Sequence, residues 1–174
     1  MQATHENETN GCHDEPAEET PTCLVCTLEI KYYGIPEQCN HNMICWTCML
    51  KQRIKMDHKE CPACKETSLR VLITDDPAGK ISNWEGRWIE DPETGIVFAR
   101  ADIRNEVQRK IGLHCLLCEE KGIRDGHPMT RKFPAIKVLR EHLVRQHKMD
   151  YCELCVEQKP VLMFEQLLYR YEPL

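Results

Sequence analysis

The chain is short of what a large apolar core needs. Its 174 residues include only three Trp, five Tyr and three Phe. Two or three small modules, each stapled by something other than packing, suit that composition better than one broad core. No stretch approaches the roughly 18 apolar residues needed to span a membrane, so no membrane partner is expected. The opening residues lack the apolar segment of a secretory signal. Residues 1–20 read MQATHENETNGCHDEPAEET, with six acidic side chains and no Lys or Arg. They also lack apolar periodicity, and a disordered acidic tail is expected there. The chain has cysteine in quantity, twelve residues in all. In an unsecreted chain, C-x₂-C pairs read as metal sites in a reducing compartment rather than as disulfides. A cytoplasmic location follows as the expectation.

Eight of the potential ligands fall between residues 23 and 64: Cys23, Cys26, Cys39, His41, Cys45, Cys48, Cys61 and Cys64. They form four pairs, enough for two tetrahedral zinc sites with none left over. Cys39 and His41 lie close in sequence to Cys45 and Cys48, and one site built from those neighbours would be cramped. Interleaving gives each site two distant loops. Site one is then Cys23, Cys26, Cys45 and Cys48, and site two is Cys39, His41, Cys61 and Cys64. A site with four protein ligands has no open position for water, so it is structural and excludes a zinc hydrolase. The H-x-E element that precedes P-C-x-x-C in zinc deaminases is missing as well. A helix is expected from about Cys45 to Met56.

A third set follows at Cys115-Leu-Leu-Cys118, with His142 and His147 in the string LREHLVRQH. Leu139 and Phe133 supply the small apolar core that a C₂H₂ finger needs. Two His five apart on one helix can both face a metal if the helix tightens near its end. The 23 residues between Cys118 and His142 exceed the usual spacing of about 12, so a long insert is expected. His114 and His127 are possible substitute ligands. Cys152 and Cys155 open a further pair with no His after it, an incomplete site. Cys12 and His13 lie in the tail without partners and are not expected to bind metal.

Between these modules, residues 69–112 carry no ligand pairs. LRVLIT (69–74) reads as a strand, and the segment 87–99 reads as a hairpin around Asp91-Pro-Glu-Thr-Gly95. Ile103, Val107 and Ile111 mark one face of a helix opening at Asp102, with Gly112 as a suitable stop. A docking spacer that sets the geometry between zinc modules is the expectation. The fold class is therefore a string of small zinc-stabilised α+β modules. They divide into a tail (1–20), a first zinc module (21–68), a spacer (69–112), a finger with a long insert (113–149) and an incomplete second finger (150–174).

Charge is uneven along this string. The formal net charge is -5, but the acidic tail accounts for it, and residues 103–148 hold eleven Lys or Arg against five Asp or Glu. A local positive field of this kind attracts phosphate, RNA included, even when the whole chain is acidic. A solvated surface is the plainer alternative.

The ligand order, with its single His in fourth place, resembles the C₃HC₄ RING family over residues 23–65. That resemblance implies a cross-brace fold and ligation without a covalent intermediate. Such a domain grips a ubiquitin-conjugating enzyme charged with ubiquitin and restricts the thioester so that a substrate lysine attacks it. By the family match, Val25 would contact the conjugating enzyme from the first loop, and Pro62 would shape the second loop. Lys65 stands where many RING domains place an Arg that bonds both enzyme and ubiquitin, and Lys cannot offer the planar fork. Gln52 occupies a position where many carry Trp.

The whole layout, with LREHLVRQHKMDYCELC placed after a RING and a spacer, resembles the RING and zinc-finger ubiquitin ligases that recognise collided ribosomes. What this resemblance implies is a partner ribosome, with lysines of small-subunit ribosomal proteins as substrates and rRNA as a further contact. The ligand count itself predicts about three zinc ions per chain. The competing readings are a nucleic-acid-binding zinc-finger protein and a scaffold whose RING recruits partners without activating transfer.

Overall fold

A computed structural model describes residues 20–84, 89–92, 94–124 and 131–172. The acidic tail, with Cys12 and His13, lies outside the described residues apart from Thr20, and so do Glu93 of the expected hairpin turn and His127.

The first body is a four-stranded sheet with a helix on it. The strands are β1 (Tyr33–Pro36), β2 (Val71–Thr74), β3 (Ile89–Asp91) and β4 (Ile96–Phe98), in the order β1-β2-β4-β3. β1 and β2 run antiparallel with Tyr33 opposite Thr74 and Pro36 opposite Val71. β2 and β4 run parallel, and β3 and β4 close the hairpin with Ile89 opposite Phe98. Pro36, which lacks an N–H, sits on an edge strand, where its missing donor costs least. β1 lies inside the first ligand run and β2 beyond it. The segment read as a spacer therefore continues the sheet of the first zinc module.

The helix expected from Cys45 to Met56 is found in two parts, α1 (Trp46–Leu50) and a π-helical turn (Lys51–Lys55). Met49 packs so closely on β1 that a Cβ on Gly34 would stand 2.7 Å from the Met49 Cβ, so only glycine fits there. Gly95, at φ 67, has the same role against the segment leading into β2: a Cβ there would stand 2.1 Å from the Leu69 carbonyl oxygen. Ile35, Ile44, Met49, Leu50, Leu72 and Ile73 fill the core between sheet and helix. Each fully buried side chain of this size is worth about 1.5–3 kcal/mol.

Helix α2 (Ala101–Ile111) adds Ile103 and Val107 to the same core, on the face its periodicity marks. Lys31 and Tyr32 both donate to the Glu106 carboxylate, at 2.5 and 2.6 Å, and tie α2 to the first module. Gly112 follows the helix in extended conformation at φ -68, so the helix stops without the left-handed glycine turn.

The second body begins with α3 (Leu116–Arg124), then α4 (Ile136–His147), β5 (Met149–Tyr151), α5 (Glu153–Gln158) and β6 (Leu168–Arg170). β5 and β6 pair antiparallel. Phe133, Leu139, Leu143 and Tyr151 form its core with Cys115. The insert after Cys118 departs from a simple loop. LLCEEKGIR is rich in helix formers and lacks strand alternation, and it continues as α3.

Candidate metal centres

Cys23 and Cys26 sit on a tight loop that Thr27 closes in the left-handed region, at φ 60. Its closure bonds are Thr27 N–H to the Cys23 carbonyl and Cys23 N–H to the Leu28 carbonyl, both at 2.8 Å. Cys61 and Cys64 sit on a loop of the same form. Lys65 closes that one at φ 65, donating to the Cys61 carbonyl at 2.8 Å, while Cys61 donates to Glu66 at 2.8 Å. Cys45 precedes α1 and Cys48 lies one turn into it. Cys39 and His41 flank Asn40, a third left-handed residue at φ 53, where the chain turns after β1.

These elements bring Cys23, Cys26, Cys45 and Cys48 together, and separately Cys39, His41, Cys61 and Cys64. A third group is Cys115 and Cys118 with His142 and His147. Within each group all four ligand atoms lie within 4.8 Å of one another. The groups are those expected from spacing, with interleaved pairs in the first two.

The donor atoms fit zinc. A tetrahedral ion at about 2.3 Å from sulfur and 2.0–2.1 Å from nitrogen implies S···S edges of about 3.8 Å and S···N edges of about 3.6 Å. Cys26 and Cys45 sulfurs stand 3.8 Å apart, and Cys61 Sγ is 3.7 Å from His41 Nδ1. In the third group the separations are shorter than that edge, with Cys118 Sγ 3.3 Å from His142 Nε2 and 3.1 Å from His147 Nε2. A sulfur separation of 3.8 Å is far beyond the disulfide bond of about 2.0 Å, and every described cysteine is a free thiol. Backbone N–H groups point at the sulfurs as they do at thiolates: Cys45 and Val25 donate to Cys23 Sγ at 3.2 and 3.4 Å.

The electrostatics agree. A hydrogen bond with Cys48 draws the Cys45 thiol down to about 5 and pushes Cys48 up. Burial pushes Cys39 and Cys115 up to about 11. Burial, with His147 and Arg131 nearby, lowers the His142 value and keeps the imidazole neutral, as a ligand must be. Four crowded sulfurs cannot all ionise without a cation among them, and a divalent ion relieves that conflict.

His114 does not join the third group. It is buried against Glu119, with Nε2 3.2 Å from the carboxylate. The end of α4 also differs from expectation. The helix does not tighten; the Lys148 N–H reaches back to the Val144 and Leu143 carbonyls, four and five residues earlier, as Lys148 turns left-handed at φ 55. Cys152 precedes α5 and Cys155 lies within it, and no third ligand joins them among the described residues.

Beside the first centre, Val25 is 54% exposed. Sequence reading missed its company: Leu24, Leu28 and Met43 are exposed too, and Leu24 N–H donates to the Met43 carbonyl at 2.8 Å. The signal was present in T-C-L-V-C-T-L, where a loop too tight to bury side chains carries three apolar ones. Pro62 is half-buried and Lys65 exposed. Gln52 donates through Nε2 to the Glu60 carbonyl at 2.7 Å and thereby holds the π-helical turn to the second ligand loop.

Three Cys/His clusters able to bind zinc, the first two interleaved on one sheet-and-helix body, mark a zinc-binding protein. The chain is similar to three curated proteins, all named as ubiquitin ligases. E3 ubiquitin-protein ligase hel2 of Schizosaccharomyces pombe is 28% identical over 158 residues, covering 90% of this chain and 20% of the relative. E3 ubiquitin-protein ligase ZNF598 of Danio rerio is 21% identical over 148 residues, covering 85% and 14%. Its Homo sapiens namesake is 20% identical over 147 residues, covering 84% and 15%. The chain thus spans a fifth or less of the length of these relatives. The resemblance to ubiquitin ligases read from the ligand order is met by their names. No family model matches the chain, and no solved structure does.

Proposed function

We propose that this chain works as a RING-type ubiquitin ligase. It binds a ubiquitin-conjugating enzyme charged with ubiquitin and promotes transfer to lysines on small-subunit proteins of stalled or collided ribosomes. The observation that carries the reading is the pair of interleaved four-ligand clusters with an exposed apolar loop beside the first. The ligase names of the relatives support it from an independent direction.

In this reading the metal ions hold loops and do no chemistry. Site one is Cys23, Cys26, Cys45 and Cys48; site two is Cys39, His41, Cys61 and Cys64; site three is Cys115, Cys118, His142 and His147. Val25, with Leu24 and Leu28 around it, offers the conjugating enzyme an apolar contact from the first loop. Pro62 stiffens the second loop, and Lys65 presents a positive charge next to it. Rate enhancement is positional, because a restrained thioester meets its lysine more often in the reactive geometry. No residue of the chain forms a covalent bond to ubiquitin. Lys65, a point charge where a fork would bond twice, makes the isolated module a modest activator. Substrate choice then depends on the basic finger region, which brings the module to ribosomal phosphate. The site of action is the cytoplasm; among the described residues no helix is long and apolar enough to cross a membrane.

The test is reconstitution of the chain with ubiquitin, activating enzyme, conjugating enzyme and purified ribosomes. The expected result is ubiquitin attached to a small set of small-subunit proteins. Modification of no ribosomal protein would contradict the reading.

A further inference from the structure

The short turn between α5 and β6 belongs to both bodies at once. It is a single 3₁₀ turn, Met163–Glu165, entered from Leu162. Leu162, 3% exposed, and Phe164 pack into the core of the sheet-and-helix body. Met163, between them, packs into the core of the finger. Alternating residues of one turn thus fill two separate cores.

The groove that receives the turn is built from α1, the π-helical turn and α2. Phe164 stacks on Trp46 of α1, with ring centroids 6.1 Å apart and planes 26° apart. The ammonium of Lys110 on α2 lies 5.7 Å from the same Phe164 ring. Glu165 serves both sides. One carboxylate oxygen accepts from the Leu162 N–H at 2.9 Å and caps the turn, while the other meets Lys51 Nζ at 2.6 Å. Both partners of that ion pair are about three-quarters buried, so the contact is screened less than a surface pair. Behind the turn, buried Gln166 donates through its side chain to the Cys155 carbonyl at 3.3 Å.

We infer that the α1–α2 groove is a docking surface whose occupant is this chain's own Leu162–Glu165 turn, and that the Lys51–Glu165 contact fixes the Cys152/Cys155 hairpin module onto the body holding the first two metal centres. Gln52, the neighbour of Lys51, points elsewhere, to the Glu60 carbonyl at the second ligand loop. The strap therefore occupies a different face from that loop and leaves Val25 exposed. Its consequence is geometric. The basic helix α4, which Met149–Tyr151 follows directly, is held at a set orientation to the first body instead of swinging on a linker. The inference does not depend on ubiquitin transfer.

Amide hydrogen exchange on the zinc-loaded chain tests it, with zinc content measured for each variant as the control for folding. The probes are the Glu165 and Gln166 amides, which donate to the Leu162 and Met163 carbonyls. Lys51→Glu changes only the receiving side, and Phe164→Ala removes the stacked ring. Each is expected to speed exchange at both amides at least tenfold with three zinc ions retained. Lys51→Arg, which keeps a cation for Glu165 and leaves the Leu162 cap intact, is expected to leave exchange at both amides close to that of the parent chain. Unchanged exchange in Lys51→Glu or in Phe164→Ala overturns the inference, as does exchange in Lys51→Arg as fast as in Lys51→Glu.

Discussion

Arg53, on the π-helical turn, donates through Nη1 to the Leu69 carbonyl at 2.9 Å. Its other Nη donates to the Ser68 carbonyl, and Nη1 also reaches the Thr94 carbonyl at 3.3 Å. An arginine that is only 8% exposed thus binds three carbonyls where the first ligand run passes into β2 and where β3 turns to β4. Burial lowers its affinity for the proton, yet the charge is kept because the carbonyls solvate it. Arg53→Ala leaves those acceptors buried and unpaired, at about 1–3 kcal/mol for each one that water cannot reach. A loss of about 2–4 kcal/mol is expected in denaturant unfolding of the zinc-loaded chain. Arg53→Lys recovers little, since an ammonium cannot fork to three carbonyls.

Metal content follows from the three clusters. About three zinc ions per chain are expected from elemental analysis, and each contributes on the order of 10 kcal/mol to folding. Chelation is expected to abolish cooperative unfolding. A content near one ion per chain, or loss of free thiols to disulfides, would contradict the architecture.

The Arg140–Asp150 pair predicts a pH dependence of known sign. Two bonds of 2.9 Å join the guanidinium to the carboxylate, and the Tyr151 N–H adds one at 2.8 Å. The hydrogen bond from Arg140 holds the Asp150 carboxyl below its usual range. Its stabilisation is therefore present above the unfolded value of about 3.9 and is lost only as pH falls through the lower folded value. Asp150→Asn is expected to cost about 1 kcal/mol, and the difference from the parent chain should stay constant from pH 8 to pH 5. A difference that fades within that interval would show that the carboxylate is not held as described.

The basic stretch 103–148 is expected to bind ribosomes or RNA with strong salt dependence. Three or more phosphate contacts imply a loss of at least about tenfold in affinity between 50 and 200 mM salt. Measurement by sedimentation or fluorescence anisotropy at several salt concentrations checks this. Binding that is absent or indifferent to salt would reduce the stretch to scaffold.

The sequence made the metal groups readable because ligand chemistry is local and discrete. A C-x₂-C pair announces itself, and the crowding of Cys39-x-His41 against Cys45-x₂-Cys48 forces the interleaving. The helix face at Ile103, Val107 and Ile111 was equally plain. Less local features stayed hidden. YGIP carries a glycine and a proline and gives no strand signal, yet it pairs with β2 more than thirty residues away, and its Gly34 lets Met49 of α1 approach. Arg53 reads as a solvated charge beside Lys51 and Lys55 until β2 and β4 bring carbonyls to it. The turn at 162–165 looked like a remnant of an unfinished finger. Its role depends on Trp46 and Lys51, over a hundred residues earlier.

The central claim is that the apolar loop of the first metal centre engages a charged conjugating enzyme. Ubiquitin discharge to free lysine, measured with this chain and with Val25→Ala at equal zinc content, tests it most directly. The account predicts that the parent chain accelerates discharge and that Val25→Ala slows it about tenfold, equivalent to about 1.4 kcal/mol of lost contact. Discharge that the parent chain does not accelerate, or that Val25→Ala leaves unchanged, would contradict it.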